Sequence, residues 1–178
     1  MMWVLSALAV LIVAGGFFIW SQSASAAKML AVGHTAPSFS LPNQDGVLVD
    51  SASLSDSWWV IYFYPKDDTP GCTKEACAFR DYLEDLQAMS VRILGVSFDD
   101  VASHKAFAEK YHLNFDLLAD PEGEVIDAYG ARSRLMPGFA SRVSYLVDAV
   151  GVIRKVYPSV TPAEHAAEII DDVKALRD

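Results

Sequence analysis

Cys72 and Cys77 are the only two cysteines in a chain of 178 residues, and they stand five positions apart. Cys72 follows Thr69-Pro70-Gly71, where a helix should begin. Unpaired N–H groups and the helix dipole stabilise negative charge at such a place, which favours the nucleophilic form of sulfur. An apolar run, Trp58–Tyr64, leads to it through a loop that holds two prolines and a glycine. A thiolate carried on the end of a rigid strand, with a second thiol close by, is a layout for redox chemistry.

The spacing bears on what the pair can do. On an undistorted helix, Cys77 sits about 140° round the axis and about 7.5 Å along it from Cys72. A disulfide needs the two Cα atoms within about 7 Å, so bonding requires the first helical turns to unwind. That suits a moving redox couple better than a static staple. The other readings are a structural disulfide in an exported protein, inert core thiols, and a metal site. Zinc has little support: the histidines at 34, 104, 112 and 165 are scattered, and no second cysteine pair exists.

The elements that must position these residues follow from periodicity. Ala36–Leu41 and Val47–Asp50 flank the turn Asn43-Gln44-Asp45-Gly46 and read as an N-terminal hairpin. Trp58–Tyr64 is continuous, aromatic and β-branched, as in a central strand covered on both faces. Its aromatic residues are therefore core, not a cofactor box. From Cys72 to about Met89, Ala76, Phe79, Leu83 and Leu86 recur at helical spacing. Val91–Val96 is a strand, Ser103–His112 a helix, Phe115–Leu118 a short strand, and Glu124–Tyr129 a short helix closed by Gly130. Val143–Val147 and Val152–Val156 bracket Asp148–Gly151 as a second hairpin. Thr161-Pro162 predicts the start of a last helix, to about Leu176. The order implies an α/β domain with a thioredoxin-like fold: a mixed central sheet flanked by helices, with an N-terminal β-hairpin. Lys66, Asp67 and Asp68 read as loop charges, and Lys74 and Glu75 as a solvated helix face.

Composition sets the outer bounds. Apolar residues make up 52% and charged residues 21% of the chain, as in a globular domain. A net charge of -9 argues against nucleic acid and against electrostatic docking to anionic lipid. Residues 1–20 carry no charge and are dominated by Val, Leu, Ile, Ala, Phe and Trp; Ala24-Ser25-Ala26 offers small residues to a signal peptidase. Residues 1–27 thus read as a signal peptide or an N-terminal membrane anchor, the run being about long enough to span a bilayer. Residues 28–178 form the domain. The expected location is extracytoplasmic, either soluble after cleavage or tethered through residues 1–20.

The string from Pro65 to Asp81, with Pro65-x-x-x-Thr69-x-x-Cys72 at its head, resembles the active-site motif of peroxiredoxins. It is similar to the bacterioferritin comigratory, or Q-type, subgroup, and the likeness extends over Gly33–Leu41, Gly95–Val96, Phe107–Tyr111 and Arg142–Asp148. The resemblance implies a thiol peroxidase acting on hydrogen peroxide and organic hydroperoxides without a cofactor. Cys72 would be the peroxidatic cysteine and become a sulfenic acid. Thr69 would hydrogen-bond thiolate and peroxide, and Pro65 would shield the site from water. Arg142 would favour the thiolate and the departing oxygen. Backbone N–H groups near Gly71 and Cys72 would complete the substrate pocket. Cys77 would resolve the sulfenic acid into an intramolecular disulfide, reduced in turn by thioredoxin or a thioredoxin-like dithiol. The protein would act as a monomer or weak dimer. Two alternatives stand beside this: an exported thiol–disulfide oxidoreductase, whose usual Cys-x-x-Cys differs from this spacing, and a non-enzymatic exported module with a structural disulfide.

Overall fold

The computed structural model describes residues 28–177. The expectations for residues 1–27 lie outside them. Among the described residues, no helix is long and apolar enough to cross a membrane.

The described residues hold seven strands and five α-helices in the order β1 (Ser40–Pro42), β2 (Leu48–Asp50), β3 (Trp58–Phe63), α1 (Pro70–Asp81), α2 (Leu83–Ala88), β4 (Val91–Ser97), α3 (Val101–Tyr111), β5 (Asp116–Ala119), α4 (Glu124–Ala128), β6 (Val143–Val147), β7 (Ile153–Tyr157) and α5 (His165–Arg177). The central sheet runs β5-β4-β3-β6-β7. β3 pairs parallel with β4 and antiparallel with β6, so it is the strand where the sheet changes sense. The loops that leave such a strand at its C-terminal end are the usual place for a site in an open α/β sheet.

Period-two alternation on β3 divides the core. Val60, Tyr62 and, just past the strand, Tyr64 face one cluster with Phe79 of α1, Leu86 of α2, Phe107 of α3 and Ile169 of α5. Trp59, Ile61 and Phe63 face the other, with Leu54, Ile126, Tyr129 and Tyr145. Both faces are buried, which is why the run lacks polar alternation. The thioredoxin-like expectation holds: a mixed sheet, helices on both faces and a short hairpin, β1–β2, at the start.

Three differences from the sequence reading have a local cause. The helix predicted from Cys72 to Met89 starts at Pro70 and breaks at Tyr82, whose φ and ψ of -100° and 8° leave the helical region. The break re-aims α2, so that Leu83 and Leu86 both reach the core. The last helix begins at His165, because the amides of Glu164 and His165 both bond to the Thr161 carbonyl and close a turn first. The hairpin strands are shorter than predicted, since Asn43 Oδ1 caps the turn by accepting from the Asp45 and Val47 amides.

The start of the described residues is sewn to the far end of the sheet. Gly33 N–H donates to Ile153 O at 2.8 Å, Ile153 N–H returns to His34 O at 2.9 Å, and Leu30 N–H meets Tyr145 Oη at 3.3 Å.

Candidate active site

β3 ends at Phe63, and Tyr64 N–H still bonds to Val96 O at 3.1 Å, so the rigid strand persists to the edge of the loop. The half-buried Pro65 opens that loop. Thr69 is the N-cap of α1, with extended φ and ψ of -91° and 150°, and Pro70 holds the first helical position. The first turn closes when Thr73 N–H bonds to Thr69 O at 2.8 Å. Gly71 and Cys72 therefore lie in the turn whose amides have no partner within the helix. Cys72 is buried, with 1% of its surface exposed.

Arg142 immediately precedes the adjacent strand, β6. The register Phe63↔Val143 places it beside the end of β3. Its Nη2 lies 3.3 Å from the Cys72 sulfur, and its Nη1 donates to Glu75 Oε2. Burial would lower the arginine's proton affinity, but Glu75 and Cys72 outweigh it, and the net shift is upward. Positive charge is thus held 3.3 Å from the sulfur, at the end of a helix that favours negative charge. Of the neighbouring arginines, Arg132 pairs with Asp127 at 2.9 Å, and Arg134 is exposed. Gly71 makes the approach possible: a Cβ there would stand 3.1 Å from Arg142 Nη2.

The other predicted residues fall nearby in different ways. Thr69 sits at the helix entrance, with its hydroxyl donating to Lys66 O at 3.0 Å rather than turned to the sulfur. Cys77 is half-buried on the same unbroken helix as Cys72, and both thiols are free. Among the described residues no cluster of His, Cys, Asp and Glu could hold a metal ion.

Two acids depart from the sequence reading. Glu75 is not on a solvated face; it is fully buried, because Arg142 and the core draw that side of α1 inward. Burial raises its carboxyl to a pKa of about 7, against the lowering effect of Arg142. Its Oε1 and the Tyr62 hydroxyl are both buried without a partner. Asp67 is not a loop charge but a buried group, 7% exposed, that accepts from Tyr64 Oη at 2.7 Å and meets His104 Nδ1 at 2.9 Å. Asp67 lies in a turn-rich loop, which gives no periodic signal, whereas Glu75 falls at helical spacing with Cys72, Ala76 and Phe79 on the buried side of α1. His165 is also buried behind the site, its Nε2 2.9 Å from Ser144 Oγ. Burial, then Arg142, lowers its pKa to about 4.

A buried sulfur beside a guanidinium at a helix start fits two-electron thiol chemistry. The AhpC/TSA family model matches residues 32–156. This chain belongs to the AhpC/TSA family. It is 41% identical over 146 residues to the peroxiredoxin bcp of Coxiella burnetii, covering 79% of this chain and 97% of that one. It is 40% identical over 144 residues to the chloroplastic peroxiredoxin Q of Arabidopsis thaliana, covering 80% and 67%. Among solved structures, the peroxidoxin BcpB of Mycobacterium tuberculosis superposes with a TM-score of 0.78 at 30% identity, covering 85% and 100%. The bacterioferritin comigratory protein of Xanthomonas campestris gives 0.74 at 30% identity, covering 79% and 92%. The protein is thus a thiol-dependent peroxidase, an oxidoreductase of the peroxiredoxin kind, and neither the disulfide oxidoreductase nor the structural-disulfide alternative is favoured.

Proposed function

We propose that Cys72 reduces peroxides and that Cys77 resolves the product. The Cys72 thiolate attacks one peroxide oxygen, the O–O bond breaks, and the other oxygen leaves as water or an alcohol after taking a proton. Cys72 is left as a sulfenic acid, oxidised by two electrons. The 3.3 Å approach of Arg142 to the sulfur carries this reading. The same guanidinium stands beside the sulfur where charge develops on the departing oxygen. Thr69 and Pro65 border the entrance, and the first-turn amides of Gly71 and Cys72 supply donors for the bound peroxide.

Cys77 then attacks the Cys72 sulfur, water departs, and a disulfide forms. Because both cysteines lie on α1, the turns between them unwind during this step. A thioredoxin-like dithiol returns the two electrons. The apolar, uncharged residues 1–20 support an exported or tethered enzyme, whose reductant would be an extracytoplasmic dithiol. The mass of the mature chain would tell cleavage from anchoring.

The test is stopped-flow tryptophan fluorescence of reduced protein mixed with stoichiometric hydrogen peroxide. The expected result is a fast phase, absent in Cys72→Ser, followed by a slower phase, absent in Cys77→Ser. The Cys77→Ser chain should consume about one peroxide and then stall or over-oxidise. Sustained dithiol-dependent turnover by that variant would remove Cys77 from the mechanism, and oxidation no faster than an ordinary thiol would remove Cys72.

A further inference from the structure

α3 grips the chain on both sides of the two cysteines. Upstream, the Asp67 carboxyl lies 2.8 Å from Ser103 Oγ and 2.9 Å from His104 Nδ1, both in α3. The Asp67 amide donates at 2.9 Å to Asp99, one residue before the α3 N-cap. Asp68 accepts from Lys110 Nζ at 2.6 Å and Tyr111 Oη at 2.6 Å. Downstream, Arg80 Nη1 donates to Tyr111 O at 2.8 Å. Cys72 and Cys77 both lie between Asp68 and Arg80.

The buried members are the informative ones. His104 is wholly buried, and its Nε2 has no partner. A buried ring nitrogen left unpaired costs stability, so the ring's polar contribution comes through Nδ1. What Nδ1 holds is the loop that enters α1.

We infer that α3 is a frame that confines the unwinding of α1 to residues 69–79, and that His104 is a positioning residue which, through Asp67, sets how readily that segment opens. This rests on the Cys72–Cys77 cycle proposed above. The disulfide forms only from the opened segment, so its rate scales with the population of that state. Loosening the upstream grip raises that population without touching the sulfur or Arg142.

The experiment uses the same two-phase fluorescence trace. His104→Ala should quicken the second, disulfide-forming phase about tenfold, the effect expected when one buried hydrogen bond of the closed state is lost. The peroxide concentration that over-oxidises half of Cys72 should rise by a similar factor. The first phase should change less than about twofold. His104→Asn, whose amide can donate from the Nδ1 position, should return both readouts most of the way. Where His104→Ala fails to fold, Tyr111→Phe removes one exposed contact to Asp68 and should quicken the second phase about twofold. A lowered melting temperature with an unchanged second phase in these variants would overturn the frame. Absence of the two phases from the parent protein would instead overturn the Cys72–Cys77 cycle.

Discussion

The guanidinium of Arg142 reaches the sulfur of Cys72 at 3.3 Å across 70 residues of sequence. The pairing of β3 with β6 makes this contact, because Val143 sits opposite Phe63. Arg142→Met should therefore lower the second-order rate with hydrogen peroxide by about 10²–10³, the range for losing one donor aimed at developing charge. Arg142→Lys should recover only part, since an ammonium cannot serve sulfur and Glu75 with two fixed arms. An unchanged first phase in Arg142→Met would contradict this role.

Gly71 faces Arg142 with no side chain. Gly71→Ala would put a Cβ 3.1 Å from Nη2, so the guanidinium would have to shift by a few tenths of an ångström beside the sulfur. Peroxide reactivity should fall by about tenfold, the effect of about 1.4 kcal/mol of lost transition-state stabilisation. Stability should hold or rise slightly, because alanine is the better helix former. Denaturant unfolding beside single-turnover kinetics separates the two effects.

Glu75 and His165 titrate in opposite senses. The carboxyl is raised by burial from 4.5 to about 7, so its contribution to stability is present below pH 4.5 and is lost as pH rises towards 7. The imidazole is lowered by burial from 6.5 to about 4, so its contribution is present above pH 6.5 and is lost as pH falls towards 4. Each slope is limited to about 1.4 kcal/mol per pH unit. Relative to the parent, Glu75→Gln should gain stability as pH rises between 4.5 and 7, and His165→Gln should lose it as pH rises between 4 and 6.5. Urea midpoints across that range are the measurement, and parallel profiles for all three chains would refute it.

Gly95 leaves room for Tyr62. A Cβ at Gly95 would stand 2.7 Å from the Tyr62 hydroxyl and 2.9 Å from Leu117 Cδ2, both buried. Gly95→Ala should destabilise by about 1–3 kcal/mol through overpacking. A melting temperature within a degree of the parent would show that the ring moves aside freely.

The sequence exposed the frame of this molecule more readily than its polar interior. The unbroken run at Trp58–Phe63 and the cysteine at the start of α1 were legible because buried strands and helix entrances leave local patterns. Arg142 was reached by resemblance rather than by pattern, since an arginine before a strand looks like any surface cation. Glu75 and Asp67 were misread for the same reason: whether an acid is solvated depends on which elements pack over it. The break at Tyr82 was invisible because Leu83 and Leu86 keep helical spacing across it.

The ties from Leu30, Gly33 and His34 to Tyr145 and Ile153 have a consequence for biosynthesis. The first part of the domain to leave the ribosome must wait, unpaired, until the strand more than a hundred residues later has been made. Co-translational folding of β3 to β5 can proceed meanwhile, but the last seam closes only near the end of translation. Contacts of such long range slow folding. A nascent chain halted before residue 153 should keep residues 30–34 open to proteolysis, while one released after residue 157 should protect them.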